Sequence, residues 1–151
     1  MTDLWHPVVG LWLSAFTSAS LLPGSSEIVL AYLWFQQHNP WLLWLVATSG
    51  NLAGSLLNYW LGTQFHRLSG YSWYPLQQVE QLRAQRWMER FGPYTLLLSW
   101  LPVVGDPLTL MAGVFRLRLW SFVLLVALAK GGRYAAMLLF ADALLLPWVQ
   151  S

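Results

Sequence analysis

The sequence predicts an all-α polytopic membrane protein: an inverted repeat of a re-entrant helical hairpin followed by a long transmembrane helix. Three observations lead there. Of 151 residues, 57% are hydrophobic and 9% are charged, against about 25% charged in an ordinary soluble domain. So few charges cannot cover the surface of a soluble chain of this length, which excludes disorder, coiled coil and most soluble folds. The apolar segments come in two sizes, two of them long enough to span a bilayer and the others interrupted. The same order of sizes then recurs 79 residues along the chain.

The first element runs from Val8 to Leu22 and stops at Pro23-Gly24-Ser25-Ser26-Glu27. Ile28 to Phe35 follows as a short arm, and Trp41 to Gly62 is uncharged and long enough to span. In the second half, Tyr94 to Leu101 stops at Pro102-Val103-Val104-Gly105-Asp106-Pro107, and Leu108 to Phe115 is the short arm. Leu119 to Phe140 spans, apolar apart from Lys130 and Arg133. A spanning helix needs about 20 apolar residues to cross a core of about 30 Å, so the arms cannot cross. Each pair is expected to dip toward the midplane, break at Pro/Gly beside an acid, and return. The expected breaks are Pro23, Gly24, Pro102, Gly105 and Pro107. Irregular backbone at that depth must be shielded by protein or line a wet cavity, so the two tips are expected to face inward, toward each other.

Pro23 and Pro102 stand 79 residues apart, as do Ser20 and Ser99, Leu22 and Leu101, Glu27 and Asp106, Trp41 and Trp120, and Leu45 and Leu124. One spanning helix per unit inverts the second copy relative to the first, an architecture that builds a midplane site in transporters. The single membrane domain, 1–151, is read as repeat one at about 8–65, a cytoplasmic amphipathic linker at about 66–92 and repeat two at about 93–147.

Charge placement gives the orientation. No Lys or Arg precedes Arg67, so the N-terminus lacks the basic region of a signal peptide and the first apolar stretch is expected to be retained. Arg67, Arg83, Arg86, Arg90, Arg116 and Arg118 fall on one side in the hairpin arrangement, which makes that side cytoplasmic and both termini external. Arg83, Arg86 and Arg90 share one face of a linker helix, flanked by Val79 and Trp87. That face is read either as a surface for anionic lipid headgroups or as a topology signal alone.

A charge near the bilayer centre is retained only with a partner, water or a role. Lys130 lies eleven residues into the last helix, about 16 Å at 1.5 Å per residue and near the midplane. Arg133 shares its face, and Asn51 and Ser55 reach the depth of Glu27. The candidate substrate-binding or gating residues are therefore Glu27, Asp106, Lys130, Arg133, Asn51 and Ser55. The cations would receive an anionic headgroup while the acids titrate or gate; closed pairs of Asp106 with Lys130 or Arg133 are the structural alternative. Trp5, Trp34, Trp41, Trp60, Trp120 and Trp148 are expected as interfacial anchors, and Asp142 as an interfacial residue. There is no cysteine, and His6, His38 and His66 have no metal spacing. No hydrolase elbow, zinc motif or phosphate loop is present. The reading is of a non-enzyme with no cofactor, no metal and no nucleic-acid partner.

Several runs resemble the DedA family of bacterial inner-membrane proteins, also called the SNARE-associated or VTT-domain family, in its short YqaA-like branch. Leu21-Leu22-Pro23-Gly24-Ser25-Ser26-Glu27 is similar to the first hairpin of that branch. Gly50-Asn51-Leu52-Ala53-Gly54 with Asn58-Tyr59-Trp60-Leu61-Gly62 is similar to the family's glycine-rich helix. Arg90-Phe91-Gly92 leads into Leu97-Leu98-Ser99-Trp100-Leu101-Pro102-Val103-Val104-Gly105-Asp106, which resembles the second hairpin, and Ala129-Lys130-Gly131-Gly132-Arg133-Tyr134 resembles the last helix. The resemblance implies facing re-entrant hairpins and movement of an anionic lipid or lipid-linked carrier between leaflets. Relatives are implicated in undecaprenyl-phosphate recycling, envelope stress tolerance and, in eukaryotes, phospholipid scrambling. The partners implied are membrane lipids, an anionic lipid or polyprenyl-phosphate carrier among them, with a homo-oligomer also open. A non-transporting factor supporting envelope integrity is the alternative. The better-studied branch carries arginines on either side of the second hairpin's proline. Here Ser99-Trp100 precedes Pro102 and Gly105-Asp106 follows it, while Ser55 replaces the acid after the glycine-rich turn. Phosphate recognition by hairpin arginines is therefore not carried over.

Overall fold

The computed structural model describes residues 5–19, 25–36, 38–68, 70, 78–101 and 104–149, and these contain helices and connections but no strand. The helices are α1 (Trp5–Ser18), α2 (Ser25–Phe35), α3 (Pro40–Thr63), α4 (Phe65–Leu68), α5 (Gln78–Phe91), α6 (Gly105–Val114) and α7 (Leu119–Val149), with a 3-10 segment at Gly92–Trp100 between α5 and α6. Pro23, Gly24 and Pro102 lie outside the described residues.

Two long helices form the centre. α3 has 24 residues and α7 has 31, about 36 and 46 Å at 1.5 Å per residue. Among the described residues α7, over Leu119–Ala143, is the one helix both long and apolar enough to cross a membrane. α3 is long enough and uncharged. Its apolar character is reduced by polar residues such as Asn51, Ser55 and Asn58, all of which are buried. The polar stripe therefore points inward while Trp41, Leu45, Leu57 and Trp60 face out. Asn39 caps the start of α3, its side chain accepting from the Trp41 amide, and Pro40 sits where no intrahelical N–H is needed.

The short arms lie against these helices. α1 packs on α2 and α3, the 3-10 segment packs on α6 and α7, and α3 also crosses α6 and α7. Small residues set the distances. A Cβ on Gly54 would strike the Phe16 carbonyl and the Ala19 methyl, and Gly50 meets α1 in the same way one turn earlier. Gly62 and Gly113 face each other where α3 crosses α6, each against the other helix's backbone. Such contact substitutes for the hydrophobic drive that lipid removes between membrane helices. Leu11, Leu30, Leu43, Tyr134 and Leu138 fill one core cluster, and Leu96, Leu108, Met111, Phe122 and Val126 the other.

Two expectations are corrected. Gly105 and Pro107 belong to the first turn of α6 rather than to a break, where proline's missing N–H costs nothing. The arm at Tyr94–Leu101 is a nine-residue 3-10 segment rather than α-helix. Gly92, at φ 61, ends α5, and the Thr95 hydroxyl then donates to the Gly92 and Trp87 carbonyls at 2.8 and 3.0 Å, tightening the first turn. The indole N–H of Trp34 donates to Asp142 Oδ1 at 3.1 Å. Trp5, Trp41, Trp60 and Trp120 are exposed on the outside.

Candidate functional site

α7 places Lys130, Arg133 and Tyr134 three and four residues apart, on one face. Lys130 is 5% exposed. Its ammonium donates to Asn51 Oδ1 on α3 and lies 3.5 Å from Asp106 Oδ1 on α6. That contact fixes the Asn51 amide, since the cation must face its oxygen. The Asn51 nitrogen then donates to Tyr134 Oη at 2.8 Å and to Ser18 Oγ at 3.2 Å. With its oxygen occupied, the Tyr134 hydroxyl donates to Ser26 Oγ at 2.8 Å. Ser26 in turn donates to Ser18 Oγ at 3.1 Å, and Ser18 to the Ala15 carbonyl at 3.3 Å. The result is one directed chain of hydrogen bonds from Lys130, which also faces Asp106, through Asn51, Tyr134 and Ser26 to Ser18 on α1, joining five helices.

A second pair stands beside it. Glu27 forms an ion pair with Arg133, whose guanidinium also donates to the Trp100 carbonyl at 3.0 Å. That carbonyl closes the 3-10 segment, so Arg133 links α2, α7 and the second arm. Both acids lie in the first turn of their helices, where the amide dipoles favour negative charge. The Glu27 and Asp106 side chains are 29% and 28% exposed, against 6% for Lys130. Lys130 is thus sealed, while Arg133 and both acids are part-exposed at the edge.

Of the predicted site residues, the structure brings together Glu27, Asp106, Lys130, Arg133 and Asn51. Asp106 meets Lys130, one of the two partners expected for it. Ser55 stays apart: it is fully buried and its hydroxyl donates to the Asn51 carbonyl of its own helix at 3.0 Å. Arg83, Arg86 and Arg90 are exposed on α5 while Ala84 and Met88 pack inward. Sequence reasoning missed Tyr134, Ser26 and Ser18. The signal for Tyr134 was its position one turn after Lys130. It also missed Asn58, which donates to the Ala19 carbonyl at 2.8 Å and to Thr109 Oγ1 at 3.3 Å. Among the described residues no three His, Asp or Glu side chains gather as a metal site.

The VTT-domain model matches residues 22–142, a span that holds both acids, both cations, Asn51, Tyr134 and Ser26. The chain belongs to the VTT-domain (DedA) family. The chain is 44% identical over 129 residues to Inner membrane protein YqaA of Escherichia coli, covering 83% of this chain and 84% of that one. An uncharacterized Haemophilus influenzae protein is 35% identical over 154 residues, covering 95% and 94%. The uncharacterized membrane protein YbfM of Bacillus subtilis is 25% identical over 115 residues, covering 71% of each. No solved structure matches. This is a YqaA-like DedA protein, and its place is the bacterial inner membrane.

Proposed function

We propose that this DedA protein moves an anionic lipid or lipid-linked carrier, such as a polyprenyl phosphate, between leaflets along two facing re-entrant hairpins. One observation carries the reading. An otherwise apolar chain buries a directed polar network through its centre and leaves the carboxylates of Glu27 and Asp106 about 30% exposed at the network's edge. Intramembrane charges of this kind mark substrate pathways by default. An arriving headgroup phosphate would compete with the carboxylates for Lys130 and Arg133, and protonation of the acids would ease that exchange.

Several contacts support the inverted repeat on which this rests. α1 and α2 have 14 and 11 residues, and the 3-10 segment and α6 have 9 and 10. None can cross about 30 Å alone; α1 and α2 pack on α3 and the 3-10 segment packs on α7, while α6 packs on α3. Asn51 and Lys130, which meet in a hydrogen bond, stand 79 residues apart, the offset between Glu27 and Asp106. In the proposed repeat, a twofold axis between the two long helices would bring such equivalent positions together. In the proposed topology the α5 arginines face cytoplasmic lipid headgroups and both termini are external.

A specific observation favours a second reading, a non-transporting factor for envelope integrity: each cation already has a carboxylate and an oxygen partner. Reconstitution into liposomes with fluorescent anionic and neutral lipids separates the two. Transport predicts faster exchange of the anionic lipid than in protein-free liposomes. Exchange no faster than in protein-free liposomes favours the structural factor.

A further inference from the structure

The Gly62–Gly113 crossing locks the end of α3 against the end of α6, and the Tyr59 hydroxyl reinforces it by donating to the Leu117 carbonyl at 2.6 Å. Between these ends lies a half-open pocket of about 220 Å³, lined by Thr63, Gln64, Arg67 and Arg116. A water occupies about 30 Å³ in the liquid, so the pocket has room for a phosphate group. No carboxylate is among these four lining residues. Among the described residues, neither arginine has an ion-pair partner.

The backbone at Arg116 gives a second, independent observation. α6 ends in a Schellman turn: the Leu117 amide donates to the Ala112 carbonyl at 3.0 Å and the Arg116 amide to the Gly113 carbonyl at 2.9 Å. The residue after the cap of such a turn adopts the left-handed conformation and is usually glycine. Here it is Arg116, at φ 50. A side chain is held where the backbone favours having none, and that side chain lines the pocket. Arginines near a helix C-terminus often serve its free carbonyls, but the end of α3 is already served. The Gln64 amide donates to the Leu61 and Gly62 carbonyls, the Thr63 hydroxyl to the Trp60 carbonyl and the Arg67 amide to the Gln64 carbonyl.

We propose that Arg67 and Arg116, with the Gln64 side-chain carboxamide, form a phosphate-binding site at the membrane face, separate from the core network and independent of whether that network moves lipid. Two guanidinium forks converging on one pocket match the oxygens of a phosphate ester. The source is a lipid headgroup or free phosphate.

The test uses the full chain purified in detergent, titrated with dioctanoyl phosphatidic acid, dioctanoyl glycerol and inorganic phosphate by microscale thermophoresis, with thermal unfolding in parallel. Phosphatidic acid is expected to bind and dioctanoyl glycerol not to. Arg116→Gly and Arg67→Gln are each expected to weaken binding by about tenfold. Arg118→Gln, which removes the same charge outside the pocket, is expected to leave binding unchanged. Arg116→Gly is also expected to unfold no earlier than the parent, because glycine suits that backbone. Competition by inorganic phosphate at matching affinity, lost in the same two variants, supports the site with free phosphate as its ligand. Equal binding of dioctanoyl glycerol, equal weakening by Arg118→Gln, or unchanged binding in both pocket variants overturns the proposal.

Discussion

Glu27 and Asp106 stand 79 residues apart, each in the first turn of a short helix, yet their cations are not arranged alike. Asp106 pairs with Lys130, deep between α3, α6 and α7, where the ammonium is shared with Asn51. Glu27 pairs with Arg133, which is 23% exposed and belongs to the long helix of the other half. Both cations therefore come from α7. Seventy-nine residues earlier, α3 carries Asn51 and Gly54 in their stead. The packing explains part of this: Gly54 lies against the Phe16 carbonyl and the Ala19 methyl, so no side chain fits where α1 crosses α3. The difference teaches that one long helix serves close packing while the other carries charge. Of the two pairs, the buried one is the more costly to break.

The largest effect is expected from Asp106→Asn, which leaves the Lys130 ammonium buried without its countercharge. The loss is about 3 kcal/mol, at the low end for a stranded buried ion because Asn51 still accepts from it. Adding Lys130→Met should recover most of that loss, measured as thermal stability of folded protein in detergent. A double variant no more stable than Asp106→Asn breaks the pairing half of the comparison. Glu27→Gln should cost less, about 1 kcal/mol, because both partners are part-exposed and Arg133 keeps the Trp100 carbonyl. A loss equal to that of Asp106→Asn would show that burial does not separate the pairs. Tyr134→Phe should be of similar or smaller size, about 1 kcal/mol, since it removes one hydroxyl that joins Ser26 to Asn51. Its effect should shrink in an Asn51→Leu background, and a double-mutant cycle reads that coupling.

The two acids and the two cations of α7 were legible in the sequence as candidates because charge stands out against an apolar background. The 79-residue offset was legible for the same reason. Other features depend on which helix faces which, and no single helix's pattern records that. Asn51 reaches Lys130 because α3 and α7 cross there, and Arg133 reaches Glu27 across the halves. Tyr134 reads as an ordinary aromatic until Ser26 is brought against it. The 3-10 form of Gly92–Trp100 was hidden because apolar residues suit either kind of helix, and the hydroxyl of Thr95 marks the difference only once its carbonyl partners are known.

The most direct test of the central claim, that the charged core serves lipid movement rather than packing alone, uses the Asp106→Asn/Lys130→Met protein in liposomes. This pair of substitutions removes both charges together, so neither is left buried without its partner. With folded double variant incorporated at the same level as the parent, the account predicts that exchange of the fluorescent anionic lipid falls to the rate of protein-free liposomes. Exchange at the parent's rate would contradict it and make the network a structural device.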